Sequence, residues 1–176
     1  MKNKIKIGIV GVVSTLVLSG CMESSPENVV ENYISGLKNA DFNQVSKTVS
    51  SDIKDKFSRN IIFSCGTNKK FKDKVIPLLN KENIDLKVLD RTSNGYQSFS
   101  SEIQNKTVSF CFKEIMTEVM EKQKDTKMKI LNSEVSSSGN EATVKFEETN
   151  SQGKSKQHTV KLEKINKEWK IIDGVL

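Results

Sequence analysis

The chain has 176 residues, 28 of them Lys or Arg against 22 Asp or Glu, with three cysteines, one histidine, nine glycines and two prolines. At 35% hydrophobic and 28% charged content it is neither a polytopic membrane protein nor a wholly disordered chain, and its few prolines and glycines exclude a collagenous or linker-like one. One modest folded domain with processing segments attached fits this length.

The N-terminus carries Lys2, Lys4 and Lys6 and then an uncharged run from Ile7 to Leu18. As a helix that run measures roughly 18 Å at 1.5 Å per residue, too short for a hydrocarbon core of about 30 Å, so it reads as a signal peptide and not a permanent span. It ends in Leu18-Ser19-Gly20-Cys21. This resembles the bacterial lipobox, which implies that the Cys21 thiol is lipidated and that cleavage makes it the first residue of the mature chain. Several acyl chains give stable anchoring where one does not. The predicted organisation is a signal peptide over 1–20, a lipidated tether over 21–25 and one domain over 26–176. The tether from Met22 to Ser25 reaches roughly 14 Å, which holds the domain close to the lipid. Cleavage takes three basic residues and no acidic one, so the net charge of +6 falls by half. The expected location is the cell envelope: the outer membrane facing the periplasm in a Gram-negative cell, the outer face of the cell membrane in a Gram-positive one.

Assigning Cys21 to lipid leaves Cys65 and Cys111, an even pair suited to an oxidising compartment. A bridge between them closes a loop of about 47 residues and is worth on the order of 4 kcal/mol in the chain-entropy model. Two buried free thiols are the alternative. Neither a metal site nor redox catalysis is expected, since there is no Cys-X-X-Cys and the single histidine, His158, is distant in sequence.

Along the domain, Ser25 as N-cap and Pro26 at the first turn open a helix over about 26–39 with Val29, Val30, Tyr33, Ile34 and Leu37 on one stripe. Asp41 caps a second helix predicted to carry Phe42, Val45, Val49, Ile53 and Phe57. The stretch 59–105 reads as an irregular insertion. Within it, Gly66 ends a helical turn, Lys69 to Leu79 forms a short amphipathic helix kinked or bounded at Pro77, Ile84, Leu86 and Val88 alternate as a strand, and Thr92 to Thr107 is loop. Lys69, Lys70, Lys72 and Lys74 form either a solvated helix face or a patch for anionic lipid. A last helix spans about 108–123 with Cys111 on its inner stripe and Met116 and Met120 as core filler.

The period then changes to two, giving strands over 127–135, 141–148, 156–165 and 168–173 joined by short turns, an antiparallel meander. Ala142, Val144 and Phe146, Val160 and Leu162, and Trp169 and Ile171 share the dry face, and the adjacent Ile130 and Leu131 suggest a bulge. Helices followed by a one-sided sheet define an α+β class with the helices on the apolar face.

Ser25-Pro26-Glu27-Asn28-Val29-Val30 with Tyr33 and Leu37, then Ala40-Asp41-Phe42, resembles the opening of the NTF2-like (cystatin-like) exported lipoproteins, the DUF4878 group especially. So does the ending, Gly139 to Val144, Gly153, Val160 to Lys164 and Trp169 to Ile172. The resemblance covers about 26–58 and 106–174 and implies a curved sheet wrapping the helices into a cone, often hollow at its wide end. These are core and turn residues and carry no chemistry.

No nucleophile elbow, P-loop, zinc motif or dinucleotide fingerprint is present. His158 lies on the face of Val160 and Leu162 near a cavity mouth, with no carboxylate expected beside it, and Tyr33 reads as core, Asp41 as a cap. The expected function is therefore non-catalytic: a membrane-anchored module without cofactor or metal that binds a small apolar ligand or an envelope protein, and not nucleic acid. The alternatives are a cone-fold enzyme using His158 or Tyr33 as acid/base, and a structural spacer of the envelope.

Overall fold

The computed structural model describes residues 24–90 and 95–175. The expected signal peptide and lipobox, with Cys21, lie outside the described residues. The element order is α1 (Pro26–Lys38), α2 (Phe42–Thr48), α3 (Ser51–Thr67), α4 (Lys69–Lys81), two short 3₁₀ turns (Leu86–Leu89 and Tyr96–Ser98), α5 (Ser101–Lys122), then β1 (Lys127–Val135), β2 (Glu141–Thr149), β3 (Ser155–Ile165) and β4 (Glu168–Asp173). The strands form one antiparallel sheet in the order β1-β2-β3-β4. This is the α+β architecture the change of period predicts, with the helices against one face of the sheet.

The helix starts are set by side-chain caps. Ser25 accepts from the Asn28 N–H at 3.3 Å and Asp41 from the Gln44 N–H at 3.1 Å, as the sequence indicates. The second predicted helix, however, breaks in two. Ser50 accepts from the Ile53 N–H and restarts the chain as α3, while its own N–H donates to the Ile171 carbonyl at 2.9 Å. Val49 thereby makes a parallel bridge to Ile171, and the break ties the helical layer to the edge of β4.

The middle of the chain is helical where an irregular insertion is expected. α3 runs through Gly66, whose missing Cβ leaves room for the Leu89 carbonyl. α4 continues through Pro77, which sits on the exposed side, where the carbonyl of exposed Asp73 that loses its donor is open to water. The expected strand at Ile84, Leu86 and Val88 is instead a 3₁₀ turn capped by Asp85, which accepts from the Lys87 N–H at 2.9 Å. Ile84 and Val88 are buried and Leu86 points out. Within the expected loop over 92–107, Tyr96–Ser98 forms a 3₁₀ turn and Ser100 caps α5 eight residues before Val108, where the apolar stripe is expected to begin.

The strands match their predicted spans to within a residue. The register shift between Ile130 and Asn132 leaves Leu131 as the bulged residue. Asn166 and Lys167 both adopt positive φ, 53° and 71°, the type I′ geometry that suits a two-residue hairpin.

One continuous core joins α1, α2, α3 and α5 to the inner face of the sheet, where Val144, Phe146, Val160, Leu162 and Ile171 are fully buried. Phe42, Phe57 and Phe112 meet with ring centroids 5.7–6.5 Å apart. Cys65 of α3 and Cys111 of α5 are paired as a disulfide with a Cα–Cα distance of 5.7 Å, the pairing the cysteine count favours. Two of the four clustered lysines are engaged in the fold: Lys70 pairs with Glu118 at 2.7 Å and Lys74 with Glu114 at 3.2 Å, both across α4 and α5. Lys70, and then Lys122, hold the Glu118 carboxyl down to about 2.

Trp169 is buried on the inner face of β4, with the Lys164 ammonium 5.1 Å from its ring. Trp169→Ala should therefore cost about 3–5 kcal/mol in denaturant unfolding. An unchanged midpoint would overturn this facing of the strand.

Candidate functional site

The core is closed over the first half of α5 and open over the second. Thr107, Val108, Cys111 and Phe112 are buried, whereas Ile115, Met116, Val119 and Met120, on the same stripe, are only partly so. Beyond Phe112, Met116, Val119 and Met120 border a cavity of about 230 Å³ between α5, the end of α1, α3 and the sheet. Its walls include Leu37, Phe57, Met116, Val119, Met120 and Met128, and its polar lining is Gln123 and Glu148. Met116 and Met120, expected to fill the core, instead form one wall of this space. Thioether side chains adapt to irregular contents, which suits them to a binding surface.

Glu148 reaches the cavity because β2 keeps its period of two through the last turn before the hairpin. Ala142, Val144, Phe146 and Glu148 share one face, and Glu148 stands across from Met128. His158, across from Phe146 on β3, stacks on the Phe146 ring at 4.9 Å between centroids and 11° between planes. Its Nε2 lies 2.8 Å from Glu148 Oε2, with the two side chains 12% and 23% exposed. An inward-facing carboxylate thus accompanies His158, contrary to the expectation from sequence. Strand alternation alone would have found it, since Glu148 falls two residues after Phe146.

The imidazole lies behind the carboxylate. Phe146 covers one of its faces and Glu148 occupies Nε2, so Glu148 is the group that faces the cavity and His158 fixes its position. Tyr33 is buried in the core and is not part of the cavity wall. Asp41 acts as the α2 cap. Cys65 and Cys111 join α3 to α5 within the buried core and do not line the cavity. Among the described residues, no group of three or more His, Cys, Asp or Glu could hold a metal ion, and no helix is long and apolar enough to cross a membrane.

A second concavity of about 300 Å³ adjoins the first. It shares Met120, Gln123 and Met128 and adds Lys38, Lys124 and Thr126. The mouth of the apolar cavity is therefore bordered by the basic C-terminal turn of α1 and the residues after α5.

No protein-family model and no curated protein matches this sequence. Among solved structures, the chain is similar to a Campylobacter jejuni protein provisionally described as an NTF2-like transpeptidase, at 13% identity and a TM-score of 0.43, over 84% of this chain and 97% of that one. A likeness at that level leaves the fold resting on the strand order and helix packing described above.

The His158–Glu148 contact makes a coupled pair. His158→Ala should cost about 1.5–3 kcal/mol, the scale of a hydrogen bond to a charged group. In a double-mutant cycle with Glu148→Ala, the two losses should fall short of additivity by more than about 0.5 kcal/mol. Additive losses in denaturant melts would mean that the pair does not hold in solution.

Proposed function

We propose that this chain is an exported, lipid-anchored binding module of the NTF2-like type, which holds a small apolar ligand in the cavity beside α5 and does not transform it. The observation that carries this reading is the wall of Leu37, Phe57, Met116, Val119, Met120 and Met128 around about 230 Å³ of space. Binding sites for small molecules are largely apolar with a few placed polar groups, and this one is smaller than the roughly 300–1,000 Å³ of drug-sized sites. The ligand is accordingly small. Lipidation at Cys21 is supported by the lipobox and by the short distance from it to the first helix.

The start of α1 and the cavity lie at separate ends of the domain. The Glu27 carboxylate at the start of α1 accepts from the Ser133 hydroxyl near the β1–β2 hairpin, while Leu37 at the other end of α1 borders the cavity. Those ends are roughly 15 Å apart along the helix.

A second reading, an acid/base enzyme, draws on the His158–Glu148 contact. In that case Glu148 is the group that meets substrate and His158 is a positioning residue, the reverse of the role expected for the histidine. The apolar wall and the lack of a second polar side chain aimed at one reacting atom favour binding.

Two experiments test the proposal. Cys21→Ala should move the protein from the membrane fraction to the soluble one, and persistence in the membrane after a carbonate wash refutes lipidation as the anchor. Octanol, a neutral apolar probe, should shift the methyl resonances of Met116, Met120 and Met128, and Val119→Trp should abolish the shifts by filling the cavity. Equal binding by that variant would count against the cavity as the site.

A further inference from the structure

Resting on the binding reading above, the structure points to a particular class of ligand: we infer that the cavity takes a free single-chain anionic amphiphile, a medium-chain alkyl carboxylate in its simplest form. Its tail lies against Phe57, Met116, Val119 and Met120, and its head is met by Lys38 and Lys124. Three observations converge on this.

The first is the distribution of charge. Lys38 and Lys124 border the concavity that shares Met120, Gln123 and Met128 with the apolar cavity. Lys129 lies further along, in the groove between α1 and β1 that again includes Lys38 and Met128. All three are exposed. Elsewhere Lys70, Lys74, Lys106, Lys122, Lys161 and Lys170 each meet a carboxylate. The mouth is where cationic side chains gather beside an apolar space.

The second concerns the acids in reach. Glu148 is engaged by His158 at 2.8 Å, and Glu31 lies in the α1–β1 groove and not in the cavity. Asp125, next in sequence to Lys124, borders none of these three concavities. A cationic head would therefore have one partly occupied carboxylate to meet and two lysines to pass, whereas an anionic head meets the lysines directly. Opposed charges at the mouth also select against the wrong ligand.

The third is shape. The apolar space is about 230 Å³ and the basic concavity about 300 Å³, and the two lie side by side, with Met120, Gln123 and Met128 lining both. A two-part space, one part greasy and one part basic, fits a molecule with a tail and a head better than it fits a compact hydrocarbon. A single chain fits, and a two-chain phospholipid does not.

The test uses the chain from residue 22 onward, which keeps every described element and the whole hydrophobic core. Octanoate, octanol and octylammonium, each below its micellar concentration, are titrated against protein carrying methyl-labelled methionine. Met116, Met120 and Met128 report from the cavity itself. Octanoate should bind about tenfold more tightly than octanol, the gain available from two exposed charge contacts, and octylammonium more weakly than octanol. Lys38→Gln combined with Lys124→Gln, two exposed substitutions, should bring octanoate down to the affinity of octanol while leaving octanol unchanged. Octylammonium binding more tightly than octanoate would overturn the inference in favour of Glu148 as the head-group partner, and equal affinities for all three would overturn it in favour of an apolar site without head selection. Either of those results leaves the binding module standing, whereas silence of the three methyl signals toward every probe removes both.

Discussion

The packing of α5 on α3, α4 and α2 is the constraint from which the other features follow. Cys111 and Phe112 sit at its centre: Cys111 is covalently joined to Cys65 of α3, and Phe112 closes the aromatic cluster with Phe42 and Phe57. With the helix pinned there, its exposed side is aligned with α4 through Lys70–Glu118 and Lys74–Glu114. Exposed ion pairs of this kind contribute little to stability but favour one register of two helices over its neighbours. Past Phe112 no comparable side chain from the sheet fills the space under the helix, because the next inward position of β2 after Phe146 is Glu148 where another apolar residue would be needed. The cavity is the consequence of that single polar position on an otherwise apolar face.

Glu148 is therefore the residue at which fold and function meet. A half-buried carboxylate is costly unless it is hydrogen-bonded, and His158 supplies the partner. The histidine is in turn held by its stacking on Phe146, a fully buried ring. A chain of contacts thus runs from the centre of the sheet to the cavity wall, and it fixes the carboxylate in orientation without the use of a loop. Sites carried on strands in this way are held more closely than sites on loops.

Much of this was legible in the sequence, and the parts that were not share a cause. The four strands, their facing and the bulge at Leu131 follow from a period of two between recognisable turns, which leaves few alternatives. The helical layer was harder because its boundaries are set by single serines. Ser50 and Ser100 each cap a helix inside a stretch whose composition is polar on both sides, so the apolar stripe gives no sign of the break. Ile84, Leu86 and Val88 alternate like a strand, yet with Asp85 capping the turn the same residues bury Ile84 and Val88 together and expose Leu86. Short apolar runs carry this ambiguity in general, and tertiary contact decides them. The stripe on α5 misled in another way: period predicts which side of a helix turns inward, but not whether the opposite surface has a residue large enough to meet it.

The separation of the two ends of the domain bears on what such a molecule can do. A ligand taken from within the bilayer would be served by an opening next to the anchor, and here α1 carries the chain away from the Ser133 end toward the cavity before the fold begins to close. Small volume and a basic mouth are two separate features of the fold, and a single-chain anionic amphiphile is the ligand chemistry that satisfies both together.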